Sequence, residues 1–285
     1  MIKTSLIITV YNRSASLRKA LISLKNQSVL PDELIIADDG SAENIVSNIS
    51  DILPEFNFPV KYVRQKNKGF RLARNRNNGV RNAEGDFFIF LDQDLVFTPN
   101  LLATFINNGK AKRFITGMPV WLDEKRSIQV TEERIKNNTF LELIDKKDKS
   151  KAIKQFKKDR RYYYLHKLYL TNQPRLRGGM CGINRSEFEK INGYDENFIG
   201  WGAEDDDLGR RLYKIGAEGF NPFENEFAIH LYHKPAVIKG AGVKEQTNYG
   251  YYQKKKHEIK KGNYKAEFGL NNLRDNDKII VEKLK

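Results

Sequence analysis

Four short apolar runs, spaced by helical patterns, constrain this chain more than any other feature. They are Leu6–Val10, Glu33–Ala37, Val60–Val63 and Phe87–Leu91. Between the first two, Ser14 stands where a helix cap belongs, and Leu17, Ala20, Leu21 and Leu24 share one helical face. Ile45, Ile49 and Ile52 mark a second such face; Leu72, Ala73, Arg76, Val80 and Ala83 mark a third. A strand covered by helices on both sides reads as continuously apolar, not alternating. The alternation predicts an α/β fold with a mostly parallel central sheet and helices on both faces.

Polar clusters stand directly after three of these strands: Tyr11-Asn12-Arg13, Asp38-Asp39-Gly40-Ser41 and Asp92-Gln93-Asp94. Open α/β sheets bind ligands outside the carboxyl ends of their strands. The three clusters are therefore expected to converge on one crevice.

From Asp123 to Arg175 charged, helical sequence takes over, including Lys146-Lys147-Asp148-Lys149 and Arg160-Arg161-Tyr162-Tyr163-Tyr164. We read residues 123–175 as an insertion over the sheet whose charges form a solvated face. Ordered sequence resumes with Arg177-Gly178-Gly179. Ser186 and Glu189 have capping-box spacing, and Gly200-Trp201-Gly202 leads into a helix over 203–215 that Gly216 closes. Residues 241–285 form a basic extension.

Composition narrows the class. The 285 residues are 40% hydrophobic and 30% charged, as in ordinary globular proteins. No stretch approaches the roughly 18–20 apolar residues of a membrane span, and Thr4–Val10 runs into Tyr11-Asn12-Arg13 without a signal-peptide cleavage pattern. Cys181 is the single cysteine, which excludes an internal disulfide and suits a reducing compartment. A cytoplasmic location is expected. The net charge of +14 favours anionic partners, with part of the excess in Lys254-Lys255-Lys256 and Lys260-Lys261.

Two acidic constellations can carry chemistry. Alternate residues of an extended segment point the same way, so Asp92 and Asp94 can present both carboxylates to one cation. Oxygen ligands suit Mg²⁺ or Mn²⁺, which bridge diphosphate oxygens; the bland alternative is a solvated turn. Glu204-Asp205-Asp206-Asp207 opens a helix, where the dipole alone favours acids. Beside them Trp201, on a flexible glycine hinge, offers an aromatic platform for a sugar ring, and a neighbouring carboxylate could deprotonate an acceptor hydroxyl. On a strand, His230 and His233 would fall on opposite faces, so at most one could reach a given metal. Cys181 reads as a small apolar filler.

At these residues the chain resembles the family 2 glycosyltransferases of the GT-A fold. The matching segments are IITVYNR, IIADDGS, RLARNRNNGVRNAEGDF and FLDQD, while GWGAEDDDLGRRL is similar to a segment of β-1,4-galactosyltransferases and bacterial chondroitin-type polymerases. The resemblance covers about residues 3–120 and 175–240. It implies a nucleotide-sugar-binding half over 1–122 and an acceptor and catalytic half over 176–240. It places Thr9, Tyr11 and Arg13 around the nucleotide, Asp38 or Asp39 on the uracil, and Arg76, Asp92, Gln93 and Trp201 near the donor. Asp94 becomes a Mn²⁺ (or Mg²⁺) ligand, with His233 in preference to His230 completing the site. The resemblance further implies that Glu204 contacts sugar hydroxyls and that Asp205 is the base. The implied reaction is inverting transfer of galactose or N-acetylgalactosamine from a UDP-sugar to a glycan or lipid-linked glycan, in bacterial surface polysaccharide or lipooligosaccharide synthesis.

Two rivals are weaker. Sugar nucleotidyltransferases resemble a glycine-rich loop after the first strand, and here that place holds Tyr11-Asn12-Arg13-Ser14. A basic nucleic-acid binder could stack bases on Tyr162, Tyr163 and Tyr164, but the strand-end acids would repel a phosphate backbone, so no nucleic-acid partner is expected. The surplus charge is instead assigned to peripheral contact with an anionic inner membrane face or an acidic glycan, with Lys254–Lys261 as the contact.

Overall fold

The computed structural model describes residues 2–234 and 248–285. Among the described residues eleven strands run in chain order: β1 Thr4–Val10, β2 Glu33–Asp38, β3 Val60–Arg64, β4 Phe87–Asp92, β5 Leu95–Phe97, β6 Arg113–Thr116, β7 Val120–Trp121, β8 Met180–Asn184, β9 Glu218–Phe220, β10 Ala228–His230 and β11 Ile280–Lys283. Eight form one sheet in the order β11-β3-β2-β1-β4-β8-β6-β9, and β5-β10-β7 form a smaller one. The β3-β2-β1-β4 heart is parallel throughout. β8 is antiparallel to both β4 and β6, and β11 is antiparallel to β3.

The period-two geometry of the strands sorts their side chains into two cores. Leu6, Ile8, Leu34, Ile36, Phe87 and Ile89 face one side; Ile7, Ile35, Ala37, Phe88 and Phe90 face the other. Helices Ser14–Lys25 and Ile45–Ile49 cover the first side, and Leu72–Arg81 and Glu204–Lys214 cover the second. The α/β architecture expected from the apolar runs, a central sheet with helices on both faces, is therefore present.

Two expected caps differ. Ser14 is the first residue of its helix, behind Arg13 in the left-handed region. Glu43 supplies the cap from outside, its carboxylate accepting from the Arg13 and Ser14 N–H groups, both at 2.8 Å. Ser186 lies inside helix Arg185–Lys190, which starts after Asn184; its hydroxyl bonds Glu187 and Glu189 turns to Arg185, so no capping box forms. The local patterns were compatible with a cap, but partners distant in sequence or inside the helix took the groups.

Residues 123–175 fold as helices Glu124–Ile128, Glu132–Lys136 and the long Lys146–Lys167. Asp123, Thr131 and Asp145 cap them by accepting from Arg126, Arg134 and Asp148 N–H groups. The tail is knitted into the domain: β11 extends the main sheet, and helix Tyr249–Lys260 packs on Glu204–Lys214. The expected boundary at residue 240 lies outside the described residues.

Candidate active site

The carboxyl ends of β1, β2 and β4 lie side by side because the strands pair in register, Thr9 beside both Ala37 and Asp92. Thr9 donates to Asp92 Oδ1 at 3.0 Å. Gln93 and Tyr11 exchange hydrogen bonds through the Tyr11 backbone, at 3.1 and 3.3 Å. The exposed Tyr11 ring meets Asn67 through its hydroxyl. Asp38 is completely enclosed, accepting from Ser41 and from the Tyr62 hydroxyl. Asp39 accepts from the Arg71 N–H at 2.9 Å and from Gln65, and burial pushes its pKa up to about 6 against these bonds.

Asp94, at the turn between β4 and β5, gathers positive and ligating groups. Arg13 Nη1 lies 2.9 Å from Asp94 Oδ2, His233 Nε2 3.3 Å from the same oxygen, and His230 Nε2 3.4 Å from Oδ1. One atom from each of Asp94, His230 and His233 falls within 4.8 Å of the others. Both histidines thus reach one point, contrary to the opposite-face expectation. β10 ends at His230, and the chain then turns, its Leu231 N–H donating to the Asp94 carbonyl at 2.9 Å. The alternation rule stops applying where the strand stops.

The set fits a divalent cation. Asp94 Oδ1 is buried without a hydrogen-bond partner, a costly state unless something positive meets it. His233 Nδ1 lies 3.0 Å from the Lys234 carbonyl, which accepts only from N–H; in the neutral ring Nε2 then carries the lone pair directed at Asp94. His230 stacks on Trp121 with centroids 3.8 Å apart, and burial lowers its pKa, which keeps it neutral and able to ligate. One carboxylate and two imidazoles suit Mn²⁺ better than Mg²⁺, which prefers oxygen.

The second acidic constellation joins the first through Arg76. This guanidinium, 2% exposed, lies over the Tyr194 ring and pairs with Asp92 Oδ1 and Glu204 Oε1, both at 3.3 Å. Burial, followed by repulsion from Asp205, raises Glu204 to about 7, with Arg76 opposing. Burial raises Asp205 as well; its Oδ2 accepts from the Gly178 N–H at 3.0 Å, the strongest influence in the other direction.

Gly178 and Gly179 escaped notice as site residues, and their role is one of space. A Cβ on Gly178 would stand 2.6 Å from Arg76 Nη1, and one on Gly179 2.5 Å from Asp92 Oδ2. Only glycine lets this loop lie against both side chains. Trp201 is 46% exposed. Its glycine flanks are pinned, not loose: both have positive φ, and Asn248 donates to the carbonyls of Gly200 and Gly202 at 3.2 and 2.9 Å. Cys181 is buried and its thiol is pushed up to about 12, in keeping with an inert filler.

The main sheet thus carries carboxylates at the ends of its parallel strands, with one acid grouped with two imidazoles. The chain belongs to glycosyl transferase family 2, whose pattern matches residues 5–191; a second pattern, described as the N-terminal domain of galactosyltransferase, matches residues 164–234. A chondroitin synthase of Escherichia coli is 34% identical over 245 residues, covering 79% of this chain and 34% of the synthase. The chain thus spans about a third of that relative's length. Among solved structures, GalNAc-T7 with UDP, GalNAc and Mn²⁺ superposes with a TM-score of 0.58 at 15% identity, covering 93% of this chain and 56% of that one. The mannosyltransferase PcManGT from Pyrobaculum calidifontis, in complex with GDP-Man and Mn²⁺, gives 0.56 at 14% identity, covering 82% and 58%. At such identities the likeness establishes the fold.

Proposed function

We propose that this chain is an inverting, metal-dependent glycosyltransferase that moves galactose or N-acetylgalactosamine from a UDP-sugar to a hydroxyl of a glycan acceptor, in bacterial surface polysaccharide or lipooligosaccharide synthesis. What carries this is the pairing of two halves through Arg76: the strand-end acids on one side, Glu204 and Asp205 on the other. The relatives and neighbours above support the class, and the galactosyltransferase pattern over residues 164–234 supports the choice of sugar.

Asp94, His230 and His233 would hold the ion, with Mn²⁺ the first choice. When bound, it supplies positive charge against the departing diphosphate. Thr9, Tyr11, Arg13 and Gln93 frame the nucleotide. Asp38 is fully enclosed and Asp39 only slightly less so, and of the two we assign the uracil contact to Asp39. Trp201 offers its indole face to a sugar ring and Glu204 accepts from sugar hydroxyls. Asp205 takes the proton of the acceptor hydroxyl as its oxygen bonds the anomeric carbon; the bond to the diphosphate oxygen breaks and its electron pair leaves with UDP.

A donor-hydrolysis screen across nucleotide sugars with Mn²⁺ tests this, because slow transfer to water reveals the donor without the acceptor. UDP-galactose or UDP-N-acetylgalactosamine is expected to be consumed, and chelator to stop it. Hydrolysis indifferent to chelator would remove the metal from the proposal, and consumption confined to other nucleotide sugars would remove the choice of sugar.

A further inference from the structure

Helix Lys146–Lys167 carries ten lysines and arginines and only two acids. All ten cations are exposed, whereas Asp148 and Asp159 are both buried. Each acid is consumed by a neighbour outside the helix: Asp148 by Arg126, and Asp159 by Arg177 in a two-pronged pair at 2.9 and 3.0 Å. Apart from Lys167, which pairs with Glu218, the outer face therefore presents positive charge without carboxylates of its own helix, along about 33 Å of helix. A merely solvated face mixes both signs, since opposite charges a turn apart stabilise a helix.

The helix ends in the reverse of a soluble cap. Leu168, Tyr169 and Leu170 are 66%, 96% and 70% exposed, and Ile153 and Tyr164 stand out among the cations at 48% and 56%. Three consecutive exposed apolar side chains at one tip cost hydration free energy unless something covers them. Beyond the tip the chain runs through Arg175 and Arg177 to Gly178, whose N–H binds Asp205.

We propose that this helix and its Leu168–Leu170 tip form a docking surface for an anionic lipid bilayer, the cations lying on the headgroups and the tip entering the acyl boundary. A soluble polyanion would satisfy the cations and leave the tip uncovered, which favours the bilayer. The lysine run at 254–256, expected from sequence to be the contact, is interrupted here: Lys255 is buried and pairs with Glu258 at 2.9 Å. The surface joins the acceptor-side loop directly, so docking would hold that loop near lipid-linked substrates.

Flotation of the full chain with phosphatidylcholine vesicles, with and without phosphatidylglycerol, tests the surface. Binding is expected only to the phosphatidylglycerol vesicles and is expected to weaken with salt. Lys157→Ala and Arg161→Ala should each cost about fivefold, and Leu168→Ser with Leu170→Ser about tenfold or more. The exposed tip keeps donor hydrolysis unchanged, which serves as the control for folding, and Tyr169→Ser gives an independent second variant. Failure to float would overturn the assignment. So would tip variants that float like the unmodified protein while the cation variants lose dextran sulfate and vesicles alike, because that pattern defines a polyanion site.

Discussion

Arg76 Nη1 lies 3.3 Å from Glu204 Oε1 and ties helix Leu72–Arg81 to helix Glu204–Lys214 across 128 positions of sequence. Its other nitrogen holds Asp92, so one enclosed cation sets the spacing between the donor side and the acceptor side. Its charge opposes the rise that burial and Asp205 impose on Glu204.

Removing that cation should be costly. Arg76→Ala leaves Glu204 buried beside Asp205 with no counter-charge, and loss of one partner of a buried pair costs about 3–5 kcal/mol. Urea unfolding should show it as a lower midpoint. Arg76→Lys should recover part of the stability and little of the turnover, because a point charge cannot meet two carboxylates as the fork does.

The acids also predict pH behaviour. The base must be ionised to accept a proton, and both Asp205 and Glu204 are raised, Glu204 to about 7. Turnover should therefore climb at a pH above the ordinary carboxylate range, because Asp205 is raised. Stability runs the opposite way. A carboxyl whose folded pKa exceeds its unfolded value binds extra protons when folded, so its contribution declines as pH rises from 4.5 to about 7. A pH–rate profile beside unfolding midpoints across that window checks both signs. Glu204→Gln should flatten the stability trend.

The buried Asp159 acts on the site at one remove. It grips Arg177, and the next residue, Gly178, donates to Asp205. Asp159→Ala should loosen that donor, lower kcat, leave donor KM near its original value and push the acid limb of the pH profile upward. A stability loss without movement of the pH profile would reduce Asp159 to a structural role.

Metal affinity should depend on both histidines. His230→Ala and His233→Ala are each expected to weaken Mn²⁺ binding by at least the roughly 10–100-fold that loss of an outer partner costs. Titration followed by the free-Mn²⁺ resonance measures it. Indifference to either substitution would remove that histidine from the set.

Much of this was legible in the residues. The short apolar runs announced β1 to β4, and the polar clusters marked the carboxyl ends of β1, β2 and β4. β6, β9 and β11 were not legible: Arg113–Thr116, Glu218–Phe220 and Ile280–Lys283 are short and mixed, and join the sheet only through tertiary pairing. The joint reach of His230 and His233 was hidden because it depends on where a three-residue strand ends. Gly178 and Gly179 were hidden because a glycine's use is the space it leaves, visible only once Arg76 and Asp92 stand beside it. The long basic helix could be read as charged, but not that its two acids turn inward.

The most direct measurement is transfer by Asp205→Asn alongside binding of UDP and Mn²⁺ to the same protein. Transfer should fall by about 10²–10⁴-fold, with both ligands held as before. Transfer close to that of the unmodified enzyme would assign the proton to another group and contradict the account.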